Sequence, residues 1–141
     1  MKRFIIGALL ALAAVFAAVS CEVDGATVRT YEYTVTPADW HVDDANALLY
    51  AVFPNPSITR SALEHAAFCG YMFLGDYNTW TPLPYVYRYA FTPTTGMPYI
   101  VQETFRCEFS PEKVTFVIED LDEQTPELPA ADFVFKVARI Y

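Results

Sequence analysis

The chain has 141 residues, with nine Lys and Arg against 17 Asp and Glu, for a net charge of −8. That length suits one domain with a single core. Its acidity repels phosphate backbones and argues against a nucleic-acid partner.

The amino terminus has the three parts of a secretory signal. Lys2 and Arg3 open it, Phe4 to Ala18 form an apolar and small-residue run, and Ala18-Val19-Ser20 lead into Cys21. The run is short of the roughly 20 residues that a membrane-spanning helix needs. Ala18-Val19-Ser20-Cys21 looks like a bacterial lipobox, with Ala18 where Leu is usual and Ser20 where Gly or Ala is usual. In that chemistry the cysteine thiol takes a diacylglyceryl group, the preceding peptide bond is cut, and the new amine is acylated. Several acyl chains, each contributing about 0.8 kcal/mol per buried methylene, give a firm hold on a membrane. The pattern predicts a signal peptide over residues 1–20, a lipidated tether over residues 21–27 and a folded domain over residues 28–141. Without the signal, seven basic side chains remain against 17 acidic ones, and the net charge falls to −10.

The predicted elements follow in order. Arg29, Tyr31, Tyr33 and Val35 alternate with Thr30, Glu32, Thr34 and Thr36, the period of a strand, which Pro37 ends. Trp40 lies in a loop running to Asp43-Asp44. Ala47 to Phe53 is a second strand, stopped at Pro54-Asn55-Pro56 because proline cannot donate to a sheet ladder. Over Ile58 to His65, Ser57 could cap a single helical turn. Ala66 to Leu74 is a third strand, and Gly75 to Asn78 a turn. Leu83 to Phe91 and Met97 to Phe109 are the fourth and fifth strands. Ser110-Pro111-Glu112-Lys113 turns the chain into Val114 to Glu119. After an acidic loop over residues 120–131, Asp132 to Ile140 closes the series. About seven strands with at most one short helix predict an all-β, antiparallel sandwich.

With Cys21 assigned to lipid, Cys69 and Cys107 remain. Alternation puts each on an apolar row, so both thiols are expected to face the core. An oxidising compartment permits a disulfide between them without requiring it.

Trp40-His41-Val42-Asp43-Asp44 carries a base and metal-binding types, yet the only other histidine is His65 and no metal-ligand spacing is present. A polar loop around a packed tryptophan is the expected reading. Glu119, Asp120, Asp122, Glu123 and Glu127 supply oxygen ligands without EF-hand spacing, so a solvated acidic loop is expected there. No GxSxG nucleophile motif and no glycine-rich phosphate loop occur. Neither a metal nor a cofactor is expected.

The aromatic group Tyr77, Trp80, Tyr85, Tyr87 and Tyr89 remains. Flat aromatic faces stack on sugar rings or on partner proteins. Alternate aromatics on a strand more commonly pack a core, so Tyr77 and Trp80, placed in a loop, are the predicted ligand-contacting pair.

The lipobox at residues 18–21, Thr36-Pro37-Ala38-Asp39-Trp40, Trp80-Thr81-Pro82-Leu83-Pro84-Tyr85 and the closing Phe135-Lys136-Val137-Ala138-Arg139-Ile140 together resemble the small lipoproteins common in Bacteroidetes. The resemblance spans most of the chain after the signal. It implies an immunoglobulin-like sandwich on the outer membrane and transfers no catalytic residue. Glu22 and Asp24 resemble the acidic surface-export signal of that phylum. The expectation is a non-enzymatic, surface-anchored interaction or accessory module with a protein or glycan partner. A structural subunit of a pilus-like assembly is the alternative, followed by a carbohydrate-binding protein and an enzyme.

Overall fold

The computed structural model describes residues 27–122 and 125–141. The expected signal, Cys21 and most of the tether lie outside the described residues.

The described chain forms nine strands, all antiparallel in their pairings. They are β1 (Val28–Val35), β2 (His41–Asp43), β3 (Leu48–Pro54), β4 (Ala67–Leu74), β5 (Thr79–Pro82), β6 (Tyr85–Phe91), β7 (Tyr99–Ser110), β8 (Lys113–Asp120) and β9 (Phe133–Ile140). One sheet has the order β1-β9-β4-β5 and the other β2-β3-β8-β7-β6. The antiparallel sandwich expected from the sequence is the fold found. The two additional strands are short. β2 has three residues, too few to show alternation, and β5 contains Trp80 and Pro82 in a stretch that reads as loop.

Alternation explains why two layers form. Val35, Met72, Phe135 and Val137 of the four-stranded sheet face Leu49, Ala51, Phe105, Val114, Phe116 and Ile118 of the other, all buried. Burial of such rows against each other supplies the main drive to fold. Phe116 and Phe135 stack across the layers at 4.2 Å with planes 14° apart, and Tyr33 meets Phe116 edge-on at 5.5 Å.

The two ends of the sandwich differ. At the end where β1 begins and β9 finishes, the chain is stitched shut. Asn55 is buried; its Nδ2 donates to the Tyr33 hydroxyl at 2.7 Å, and its Oδ1 accepts from the Ser57 amide at 3.1 Å. Arg139 donates from Nη1 to the Ser57 carbonyl at 2.7 Å. The one α-helix among the described residues, α1 (Arg60–His65), is capped by Thr59, whose hydroxyl accepts from the Ala62 amide. Ser57, expected as the cap, is held by Asn55 instead.

The β7–β8 turn is pinned to the same end, because the Glu112 amide donates to Ile58 O and the Asn55 amide to Glu112 O. Glu112 sits at φ 65° directly after Pro111, the two-residue pattern of a type II turn, whose second position favours glycine. Glu112→Gly is therefore expected to raise stability by about 0.5–1 kcal/mol, read as a higher urea midpoint at unchanged slope.

At the opposite end, β1, β4 and β9 have their limits at Val35, Leu74 and Phe133, while β6 and β7 run on to Phe91 and Tyr99. This end stays open.

Candidate functional site: the open end of the sandwich

β6 pairs with β7 in a register that sets Tyr85 opposite Phe105, Tyr87 opposite Glu103, Tyr89 opposite Val101 and Phe91 opposite Tyr99. Phe105 belongs to the core, so alternation puts all eight side chains on the same inward face. The first pair packs on the four-stranded sheet, where the Phe105 ring lies 5.2 Å from that of Phe133. Beyond it the face carries an aromatic ladder bounded by carboxylates.

Two hollows open there, on either side of Glu103. The wider one, of about 430 Å³, is lined by Met72, Tyr77, Tyr85, Tyr87, Glu103 and Phe133 among others. Tyr77 stands at its rim, 77% exposed on the 3₁₀ turn Gly75–Tyr77, and Tyr87 is 45% exposed. Asp76 and Asp132 also border it. The narrower hollow, of about 160 Å³, lies between the outer half of the ladder and the chain that follows β8. Tyr89 donates from its hydroxyl to Glu103 Oε1 at 3.2 Å, and its ring lies 5.5 Å from that of Tyr87. Burial, with Asp120 and Glu127 adding repulsion, raises the Glu103 pKa above the usual carboxylate range. Burial and the Glu103 charge push the Tyr89 hydroxyl up to about 12.

The predicted pair is separated. Tyr77 reaches the wider hollow, whereas Trp80 lies in β5 on the outer face of its sheet. Its ring packs on Phe73 at 5.2 Å and sits 3.8 Å beneath the Lys136 ammonium, which also pairs with Glu32 at 3.3 Å. Tyr85, Tyr87 and Tyr89 gather at the open end. Asp120 at the end of β8, with Asp122 and Glu127 of the acidic segment that follows, joins them and lines the narrower hollow. Sequence reasoning missed Glu103, because one acid within the hydrophobic alternation of β7 reads as an ordinary exposed position. Its signal was its parity with Val101 and Phe105.

The other candidates resolve into local structure. Trp40 is buried, edge-on to Phe133 at 6.3 Å. Asp43 accepts from the Asn46 amide and side chain, and His41 stacks on Tyr50 at 5.3 Å. Glu119 pairs with Arg106 at 2.7 Å on the outer face of the five-stranded sheet, where Arg106 also meets Glu108. No group of three or more His, Cys, Asp or Glu is placed to hold a metal ion among the described residues.

Cys69 and Cys107 are unbonded. Cys107 faces the core as expected, and a Cβ placed on Gly70 would fall 2.2 Å from its Sγ. Gly70 therefore occupies the inward row of β4 with Phe68 and Met72, and alternation turns Cys69 to the outer face. The inward position held by a glycine made the two rows of β4 hard to tell apart. Burial, then the neighbouring Cys69, pushes the Cys107 thiol up to about 11, so it stays protonated at neutral pH, the opposite of what a nucleophile requires.

No protein-family model, curated protein or solved structure matches this chain.

Proposed function

We propose that this chain is a lipid-anchored protein of the bacterial outer membrane, held by acyl chains on Cys21, whose sandwich is a non-enzymatic interaction module that meets its partner with the open end. The observation that carries this reading is geometric. Thr27 enters β1 at the stitched end, where its carbonyl accepts from the Tyr141 amide. Five residues lie between Cys21 and Thr27, so the six steps reach at most about 20 Å. An anchor at Cys21 therefore holds the stitched end toward the membrane. The tyrosine-lined hollows then face away from it, where a partner arrives. Half-exposed tyrosines suit such contacts, since they add area at little cost in lost side-chain freedom.

Two measurements test the proposal. Cys21→Ser is expected to move the protein from the detergent phase of a membrane extract to the aqueous phase, with loss of the acyl mass. Retention in the detergent phase would refute the anchor. The full chain, purified in detergent and applied to arrays of glycans and proteins, is expected to retain a partner. Tyr87→Ser should then weaken capture by about 10-fold or more, as loss of a central tyrosine does at interfaces. Turnover of an arrayed compound, or capture unchanged by Tyr87→Ser, would count against the open end as a binding surface.

A further inference from the structure

The narrower hollow is distinct in its chemistry. Tyr89, Phe91 and Tyr99 wall one side, and Phe91 and Tyr99 meet at 5.4 Å with planes 57° apart, so their faces form a corner. Glu103, Asp120, Asp122 and Glu127 complete the lining with Val101, Thr125 and Pro126. No lysine, arginine or histidine is among these residues. On the outer face of the same sheet, by contrast, Arg106 pairs with Glu108 and Glu119. Here Glu103 is partly withdrawn from water beside like charges, with a tyrosine hydroxyl as its hydrogen-bond partner.

We propose that this hollow binds an alkylammonium group, with the cation against the faces of Tyr89, Phe91 and Tyr99 and its charge balanced by Glu103 and the surrounding carboxylates. Aromatic faces attract such cations through their quadrupoles, most strongly where water is excluded. The volume of about 160 Å³ matches a cavity that takes one benzene-sized molecule. Among the described residues the acids are too dispersed to close around a metal ion, yet they can surround a larger, diffuse charge. An anionic ligand would be repelled. A neutral sugar would leave the carboxylates uncompensated.

This inference rests on the open end being the binding surface, but the two fail separately. A partner captured through Tyr87 with no ammonium binding would discard the cation pocket alone.

The test titrates the full chain, in a non-ionic detergent, with choline and with its uncharged analogue in which carbon replaces nitrogen. Choline is expected to bind saturably and at least about 10-fold more tightly than the analogue. Glu103→Gln, which keeps shape and removes charge, is expected to weaken choline by about 10-fold without lowering Tm. Phe91→Leu should weaken it comparably. Equal affinity for the two compounds, no saturable binding, or choline affinity untouched by Glu103→Gln would overturn the proposal. So would tighter binding of a neutral sugar at the same residues.

Discussion

Phe116→Ala is expected to lower folding stability by about 3–5 kcal/mol, a large share of the about 5–15 kcal/mol that a domain of this size has to lose. Phe116 is fully buried and lies where the two sheets meet. Its ring stacks on Phe135, takes the edge of Tyr33 and contacts Phe53 at 6.1 Å. Removing it takes one partner from three aromatic contacts at once. The cavity would lie between two hydrogen-bonded sheets, whose backbones cannot easily collapse to fill it. Urea unfolding checks this through a lower midpoint at unchanged slope. Phe73→Ala, on the outer face against Trp80, provides the comparison and should cost distinctly less. Equal losses would mean that the inter-sheet stack is not the centre of the core.

The second large effect comes from adding one methyl group. Gly70→Ala would bring a Cβ within 2.2 Å of Cys107 Sγ and 3.2 Å of Leu83 Cδ1. The cysteine side chain is short and packed against the core, so relief requires a shift of strands rather than a swing of a long side chain. Overpacking of this kind costs about 1–3 kcal/mol. The Gly70→Ala/Cys107→Ala double variant removes the obstructing sulfur and should recover most of that loss. A double variant whose loss equals the sum of the two single losses would show that the sulfur is not the obstacle.

These two variants also show where the sequence was informative. The row Tyr31, Tyr33, Val35 in β1 alternates clearly, and the row Val114, Phe116, Ile118 in β8 is read directly even though Val117 on its other face is buried too. That made the two-layer class and the main strand limits legible. β4 was harder. With glycine in its inward row and Cys69, Tyr71 and Phe73 in its outward row, both faces look apolar, and local alternation cannot say which is buried. The site was legible only in part. Tyr85, Tyr87 and Tyr89 stand out as a group, but their meeting with Asp120 depends on the β7–β8 register, and with Asp122 and Glu127 on how the segment after β8 lies beside β6 and β7. Trp80 drew notice for its residue type, and the pairing of β5 with β4 took it to the other face. The first depends on distant pairing, which no short window of sequence contains; the second depends on a tight hairpin whose register, Phe73 opposite Trp80, the loop-like residues of β5 conceal.

The position of β9 has a consequence for how the protein is made. It lies between β1 and β4, with Val28 opposite Ile140 and Val35 opposite Phe133, and Ala67 also opposite Ile140. Until those last residues emerge, β1 and β4 have no neighbour to join them, and half of the sandwich is a row of loose ends. Such distant pairing makes assembly slow. The four-stranded sheet therefore closes only after β9 has been made, and β1 and the β4–β5 hairpin wait for it as separate pieces.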